Sequence, residues 1–345
     1  LTHDGARGEM VRAAGGMEIG VAGFFHAGGT MAIEKSSGSF TLADSSKVMT
    51  EVLTIGGADL NGFIGINGPY RSDTNGDGRT DLADEINPEA VGLSASGIEF
   101  GLGLFKEQAT TNARDWMSLQ AKAAEVAMVG VPGITASATD IAVSINQVIN
   151  ARANTAERLQ VIDFSDSAFD IYTGYDTTIA LEMDGAKGEL ISASGTFDVS
   201  VAGFVEAHGS MAFEKFQTTV KLADGNTVVV DALTLGGVQL SAFAGVGGPY
   251  FIDTDGDGDI DGDDERNVSS VGFVMDDAEF AMALLATPEG ATRLGGASWL
   301  GVEASAAKVG FVGGADLEMS VSNVEVQINQ VFGLPIGSNA SSLVA

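Results

Sequence analysis

This chain of 345 residues contains no cysteine. Disulfides, thiolate metal sites and thiol nucleophiles are excluded, so stability has to come from packing, backbone ladders and any bound metal. Basic residues are scarce as well: 17 Lys and Arg stand against 47 Asp and Glu, a formal net charge of −30. Phosphate backbones and anionic headgroups are held by clusters of Lys and Arg, and nucleic acid is therefore not an expected partner. No apolar run of about 18 residues free of charge is present, so the sequence offers no membrane span. No basic segment leading into an apolar run marks a signal peptide. Also missing are a Gly-rich phosphate loop opening a helix with Lys and a Ser elbow between strand and helix. An acidic, Gly-rich and Ala-rich chain with few aromatics has the composition of bacterial secreted and surface proteins, and an extracellular or cell-surface location is expected.

What the chain has in plenty is a second copy of itself. Val21-Ala22-Gly23-Phe24 returns as Val201-Ala202-Gly203-Phe204, and Gly68-Pro69-Tyr70 as Gly248-Pro249-Tyr250, both displaced by 180 residues; 46 of the first 110 positions are identical at that displacement. Past a short indel between residues 105 and 116 the displacement is 183, so Trp116 matches Trp299 and Ile145-Asn146-Gln147-Val148 matches Ile328-Asn329-Gln330-Val331. The organisation read from this is repeat 1 over 1–150, an ordered connector over 151–180, repeat 2 over 181–333, and the start of a further connector over 334–345. The length suffices for two domains, each with its own core. The connector alternates in strand fashion at Val161-Ile162-Asp163-Phe164 and Phe169-Asp170-Ile171-Tyr172 and lacks the Gly, Ser or Pro bias of a flexible spacer. The repeat pattern is already running at Leu1, which matches Leu181, so the chain reads as a segment of a longer protein.

Within each repeat a shorter pattern recurs, with apolar positions at i, i+2, i+4 and then i+7, i+9, i+11. Leu317, Met319, Val321, Val324, Val326 and Ile328 show it, as do Val91 to Leu102, Ile134 to Ile145 and Val271 to Met282, with a shortened form at Leu233, Leu235, Val238, Leu240. Period 2 means strand, and the three-residue step turns two consecutive side chains outward, as at a corner or a bulge. The expected class is all-β. Stacked parallel coils would make it a β-solenoid; the same step in antiparallel neighbours would make a bulged β-sandwich or barrel. Helical signal is confined to Thr110–Leu119 and Asn150–Leu159, each worth a turn or two.

Each repeat carries one acidic loop. Asp73-x-Asn75-x-Asp77-Gly78-x-x-Asp81-x-x-Asp84 and Asp253-x-Asp255-x-Asp257-Gly258-x-x-Asp261-x-x-Asp264 place oxygen side chains at positions 1, 3, 5, 9 and 12, with Gly at 6. Calcium takes six to eight oxygens, which alternate residues of a tight loop supply, while the sixth residue needs a conformation open mainly to Gly. Position 7, Arg79 or Asp259, would give its backbone carbonyl. These loops resemble the calcium loops of EF-hands, dockerins and thrombospondin type 3 repeats over about 13 residues per repeat. They depart from the EF-hand in two ways: a strand and turn lead in where a helix should stand, and position 12 is Asp, with Glu85 and Glu265 one residue on. A structural ion that pins a long insertion is therefore expected, not a signalling sensor. With Asp259 and Asp263 in addition, loop 2 should bind more tightly or hold a second ion. The wider pattern resembles tandem modules of giant bacterial surface proteins and adhesins, which implies a structural or adhesive role and stacking with copies of itself or neighbouring repeats.

Signals for catalysis are thin. The three histidines, His3, His26 and His208, face Met183, Glu206 and Gly28 in the other copy, so none is duplicated. Glu34 and Glu214 match, as do Glu99 and Glu279, and all four are expected on the solvated outer face. Trp116 and Trp299 are expected as core plugs. The alternative function is a carbohydrate-binding or carbohydrate-cleaving β-solenoid, for which cell-surface glycans would be partners and a cleft with a perturbed carboxyl pair would be the mark.

Overall fold

The computed structural model describes residues 9–76, 83–109, 113–150, 159–223, 225–252, 254, 264–288, 294–313 and 319–333. Repeat 1 contributes strands β1 (Val11–Val21), β2 (Phe25–Thr41), β3 (Lys47–Ile66), β4 (Arg71–Ser72), β5 (Glu85–Ile86), β6 (Val91–Glu107), β7 (Asp115–Val129) and β8 (Ile134–Val148). The connector adds β9 (Phe169–Tyr172) and β10 (Thr178–Leu181). Repeat 2 follows with β11 (Leu190–Val201), β12 (Val205–Lys221), β13 (Thr227–Val246), β14 (Phe251–Ile252), β15 (Glu265–Arg266), β16 (Val271–Ala286), β17 (Ser298–Val312) and β18 (Met319–Phe332). Twelve of these form one sheet in the order β1-β2-β3-β6-β7-β8-β11-β12-β13-β16-β17-β18, antiparallel throughout, and three two-stranded ribbons, β4–β5, β9–β10 and β14–β15, complete the strands.

The fold is all-β, as expected. Its neighbours are antiparallel hairpin partners, however, and not the parallel coils of a β-solenoid. The order is open, with β1 and β18 at its ends and no closure into a barrel. The bulged antiparallel strand is what the three-residue steps encode. At the predicted steps Gly97, Asp140, Asp277 and Asn323 all take left-handed φ, between 46° and 59°. A residue in that conformation drops out of the ladder and sets two consecutive side chains outward, and short polar side chains tolerate it best after Gly. The pairing of β16 with β17 passes over Asp277 and Ala307 and resumes in the same register, from Asp276↔Lys308 to Ala278↔Ala306, whereas that of β3 with β6 shifts between Gly57 and Leu60. In β13 the left-handed residue is Gln239, two places beyond the expected step at 236–237, which leaves Val238 outward and half exposed. Residues 115–119, expected to be helical, lie in β7, because Trp116 and Ser118 alternate inward and Ser118 Oγ bonds Asn146 Oδ1 at 2.9 Å. Of the rest of those stretches, Ala113, Arg114, Asn150 and Leu159 are not helical, and 110–112 and 151–158 fall outside the described residues.

The chain forms two compact units that do not follow the repeat boundaries: residues 1–126, 140–193 and 215–218, and residues 127–139, 194–214 and 219–345. In the first unit the connector lies on one face of the sheet. Leu42 bridges to Ile162, Ala43 N–H donates to the Val161 carbonyl, and Asp163 N–H to the Thr41 carbonyl. The core beneath comprises Leu42, Val48, Val52, Phe105, Trp116, Val148 and, from the connector, Val161, Ile162, Phe164, Ile171 and Leu181. Phe40 meets Phe105 and Phe169 edge-on at 4.9 and 5.2 Å, contacts worth about 0.5–1.5 kcal/mol each beyond burial. The second unit has a smaller cluster of Phe243, Tyr250, Phe251 and Val274 at the root of its acidic loop.

Candidate functional site

Each acidic loop is closed at its base by a two-residue ladder. Arg71↔Ile86 and Ser72↔Glu85 pair before and after loop 1, and Phe251↔Arg266 and Ile252↔Glu265 do so for loop 2. Inside the ladder the position-12 carboxylate is buried and used structurally. Asp84 Oδ1 accepts from Thr74 N–H at 3.0 Å and Asp264 Oδ1 from Thr254 N–H at 2.9 Å, while Thr74 Oγ1 and Thr254 Oγ1 accept from the N–H groups of Glu85 and Glu265. Asp73 Oδ1 accepts from Gly76 N–H at 2.7 Å, an Asx turn that starts loop 1. Thus Asp73, Asn75 and Asp84 of the first loop and Asp264 of the second are described. Asp77, Arg79, Asp81, Asp253, Asp255, Asp257, Asp259 and Asp261 lie outside the described residues. Among the described residues no three Asp, Glu or His side chains converge as a metal site. The donors that the two loops bring are all oxygen, the set that a hard divalent cation takes.

A clamp that the sequence reading passed over holds the loop entry to its exit. Asn87 Nδ2 donates to the carbonyls of Asn67 and Pro69, its N–H donates to the Tyr70 carbonyl, and its Oδ1 accepts from Glu89 N–H. Asn267 repeats this with Gly247, Pro249, Tyr250 and Ser269. One amide satisfies backbone groups on both sides of the insertion, a job only Asn performs at that reach. Its identity at matching positions, just past the last loop aspartate, was the available signal.

Beside loop 2 lies a cavity of about 210 Å³, lined among others by Asp198, Glu206, His208, Phe243, Tyr250 and Phe251. The Phe243 and Tyr250 rings stack at 6.0 Å, and Phe251 meets Tyr250 edge-on at 4.7 Å. Burial pushes the Glu206 carboxyl above its ordinary range, opposed by the Tyr250 N–H that it accepts at 3.0 Å and reinforced by the charge of Asp198. His208 Nδ1 stands 3.7 Å from Asp198 Oδ2. In repeat 1 the position of Glu206 is His26, bonded to Glu18 at 3.1 Å, and the cavity there shrinks to about 30 Å³.

The other matched acids diverge. Glu99 is paired with Lys122 at 2.6 Å and Glu279 accepts from Ser305 Oγ at 3.1 Å. Glu34 is buried, with Arg12 at 4.0 Å, so the expectation of a solvated carboxylate there is corrected: its strand is flanked on both sides and long neighbours cover it. Trp116 and Trp299 are both fully buried. No helix among the described residues is long and apolar enough to cross a membrane.

Compared with protein-family models, curated proteins and solved structures, the chain matches none.

Proposed function

We propose that this chain is a calcium-stabilised structural or adhesive repeat module of a bacterial extracellular protein, which builds a stiff rod or filament by end-to-end stacking. The observation that carries the reading is the duplicated loop closure: in both repeats a short ladder, a buried Asp at position 12 and an Asn clamp hold open-ended an acidic loop of calcium-type spacing. Carboxylates packed this densely repel one another, and a divalent cation removes that cost while tying the insertion to the sheet. From the solenoid expectation this reading keeps one-dimensional repetition, with strands added at sheet edges in place of stacked coils.

The test is calorimetric titration with calcium, followed by light scattering and negative-stain imaging in millimolar calcium and in chelator. Two classes of site are expected, the loop 2 class tighter or holding two ions. Asp84→Asn and Asp264→Asn should each weaken one class only. At calcium a hundredfold above Kd the ion adds about 2.7 kcal/mol of stability per site. A compact monomer whose melting and mass ignore chelation would sink the proposal.

The alternative is binding of a carbohydrate such as a cell-surface glycan. It rests on the repeat-2 cavity, where a stacked aromatic pair adjoins a carboxyl shifted upward. A glycan array with the native chain and Tyr250→Ala tests it; retention of any hit by Tyr250→Ala removes the cavity from the account.

A further inference from the structure

The two ends of the sheet are edges that the chain elsewhere shows how to cover. The last strand of repeat 1, β8, is hydrogen-bonded to the first strand of repeat 2, β11. Their counterparts are β18, which matches β8, and β1, which matches β11, and among the described residues each stands at an end of the strand order with one neighbour. The covered and uncovered versions differ in exposure. Val143 and Ile145 of β8 are half-buried, whereas their matches Val326 and Ile328 in β18 are exposed, and Val321 reaches 60%. Ile191 of β11 is half-buried, and its match Val11 in β1 is 73% exposed.

Free edges in soluble proteins are usually blunted by charge or proline. Here β18 carries one charged residue, Glu325, and β1 carries Arg12 and Glu18, in a chain with 47 acidic residues. Neither strand contains Pro. The turn that follows the donated strand is also preformed. At the covered junction Ala202, with φ 50°, donates its N–H to the Gly133 carbonyl at 2.6 Å. Ala22 takes the same conformation, φ 45°, in a turn closed by the same Phe24 N–H to Val21 carbonyl bond of 2.8 Å that Phe204 and Val201 make.

We propose that β18 of one copy of this chain accepts β1 of a second copy as an added antiparallel strand, in the arrangement that β8 and β11 already adopt within the chain. The inference rests on the end-to-end reading above and names the surfaces that carry it. The contact is heterologous: the donor edge and the acceptor edge are different, so pairing leaves a free edge at each end and propagates. The occupant is a second copy because the complementary strand is one of its own.

Two doubly substituted chains test this in the presence of calcium, Val321→Lys/Val326→Lys at one edge and Ile19→Lys/Val21→Lys at the other. Sedimentation velocity of the native chain should give a concentration-dependent ladder of species. Each variant alone should remain monomeric, and their equimolar mixture should form a dimer and nothing larger, since one free β18 meets one free β1. Circular dichroism checks folding, and Ser322→Pro with Ala14→Pro serves as a second pair, because proline removes an edge donor. A native chain that stays monomeric, a variant that polymerises alone, or a mixture that stays monomeric overturns the proposal. Calcium titration of the same samples separates the failures: calcium bound with no heterodimer sinks the strand docking alone, and heterodimer without calcium binding sinks the loop reading alone.

Discussion

Trp116 and Trp299 occupy matching positions in the two repeats, both fully buried, yet their surroundings are not equivalent. The Trp116 indole N–H donates to the Gln160 carbonyl at 2.8 Å, and Arg114, whose guanidinium lies 5.1 Å from the ring centre, also bonds Glu107 and the Gln160 side chain. The Arg114 guanidinium holds the Glu107 carboxyl below its ordinary range, against the desolvation that raises it. Among the described residues the Trp299 indole N–H has no hydrogen-bond partner. A similar contrast runs along the sheet. At Gly56 an added Cβ would strike the Tyr172 carbonyl of the connector, while at its match Gly236 the nearest atom is the Phe280 carbonyl oxygen at 3.8 Å. Gly101, pressed by Ile171 and Ile179, corresponds to Ala281, and Gly103 to Ala283. Duplicated sequence thus produces the same strands and loop closures, and among the described residues the repeats differ where repeat 1 accommodates the connector at 159–181.

The sharpest way to break this comparison is a pair of alanine substitutions. Gly56→Ala should cost about 3 kcal/mol or more, because the obstacle is backbone that cannot rotate aside. Gly236→Ala should be neutral or stabilise by about 0.5–1 kcal/mol, since Gly in a strand interior loses more entropy on folding than Ala does. Chemical denaturation of both variants measures this; equal losses would show that the connector does not bear on Gly56. Next in size is Trp116→Phe against Trp299→Phe. Both create a similar void, but the first also strands a part-buried carbonyl, so it should be more destabilising by about 1 kcal/mol. A difference near zero would remove the Gln160 bond from the account.

The smallest effect concerns Glu206, which His26 replaces in repeat 1. Its folded carboxyl titrates above the ordinary value, so the ionised group opposes folding at neutral pH and that cost fades as pH falls through the raised value toward about 4.5. Glu206→Gln keeps the acceptor for Tyr250 N–H and should raise stability at pH 7 by about 0.5 kcal/mol or less, an advantage that disappears near pH 4.5. Melting curves of the native and substituted chains at the two pH values decide it, and an advantage that grows on acidification would reverse the sign.

Several features were legible in residue order because they are local. Period-2 alternation reads as strand wherever one face packs, and the three-residue step marked the left-handed bulge residues Gly97, Asp140, Asp277 and Asn323, since a single misphased residue shifts every later side chain. The repeat boundaries and the acidic spacing of the two loops are matters of counting. At Thr110–Leu119 the local reading failed: Ala and Arg suggested a helix, but the Trp116 and Ser118 environments are made by partners 28 to 44 residues away, and tertiary packing overrode propensity.

By itself the sequence determined a cysteine-free, acidic, all-β duplication with one oxygen-rich loop per copy, since each of these depends on composition or on residues close in the chain. Only the tertiary structure decided that the strands pair antiparallel in an open sheet, that Asp84 and Asp264 are buried at the loop bases, and that Asn87 and Asn267 clamp them. It also decided that a cavity of about 210 Å³ opens beside loop 2, against one of about 30 Å³ at the matching place in repeat 1. Strand direction and edge exposure depend on which distant segments meet, and an alternating pattern is the same whichever neighbour it meets.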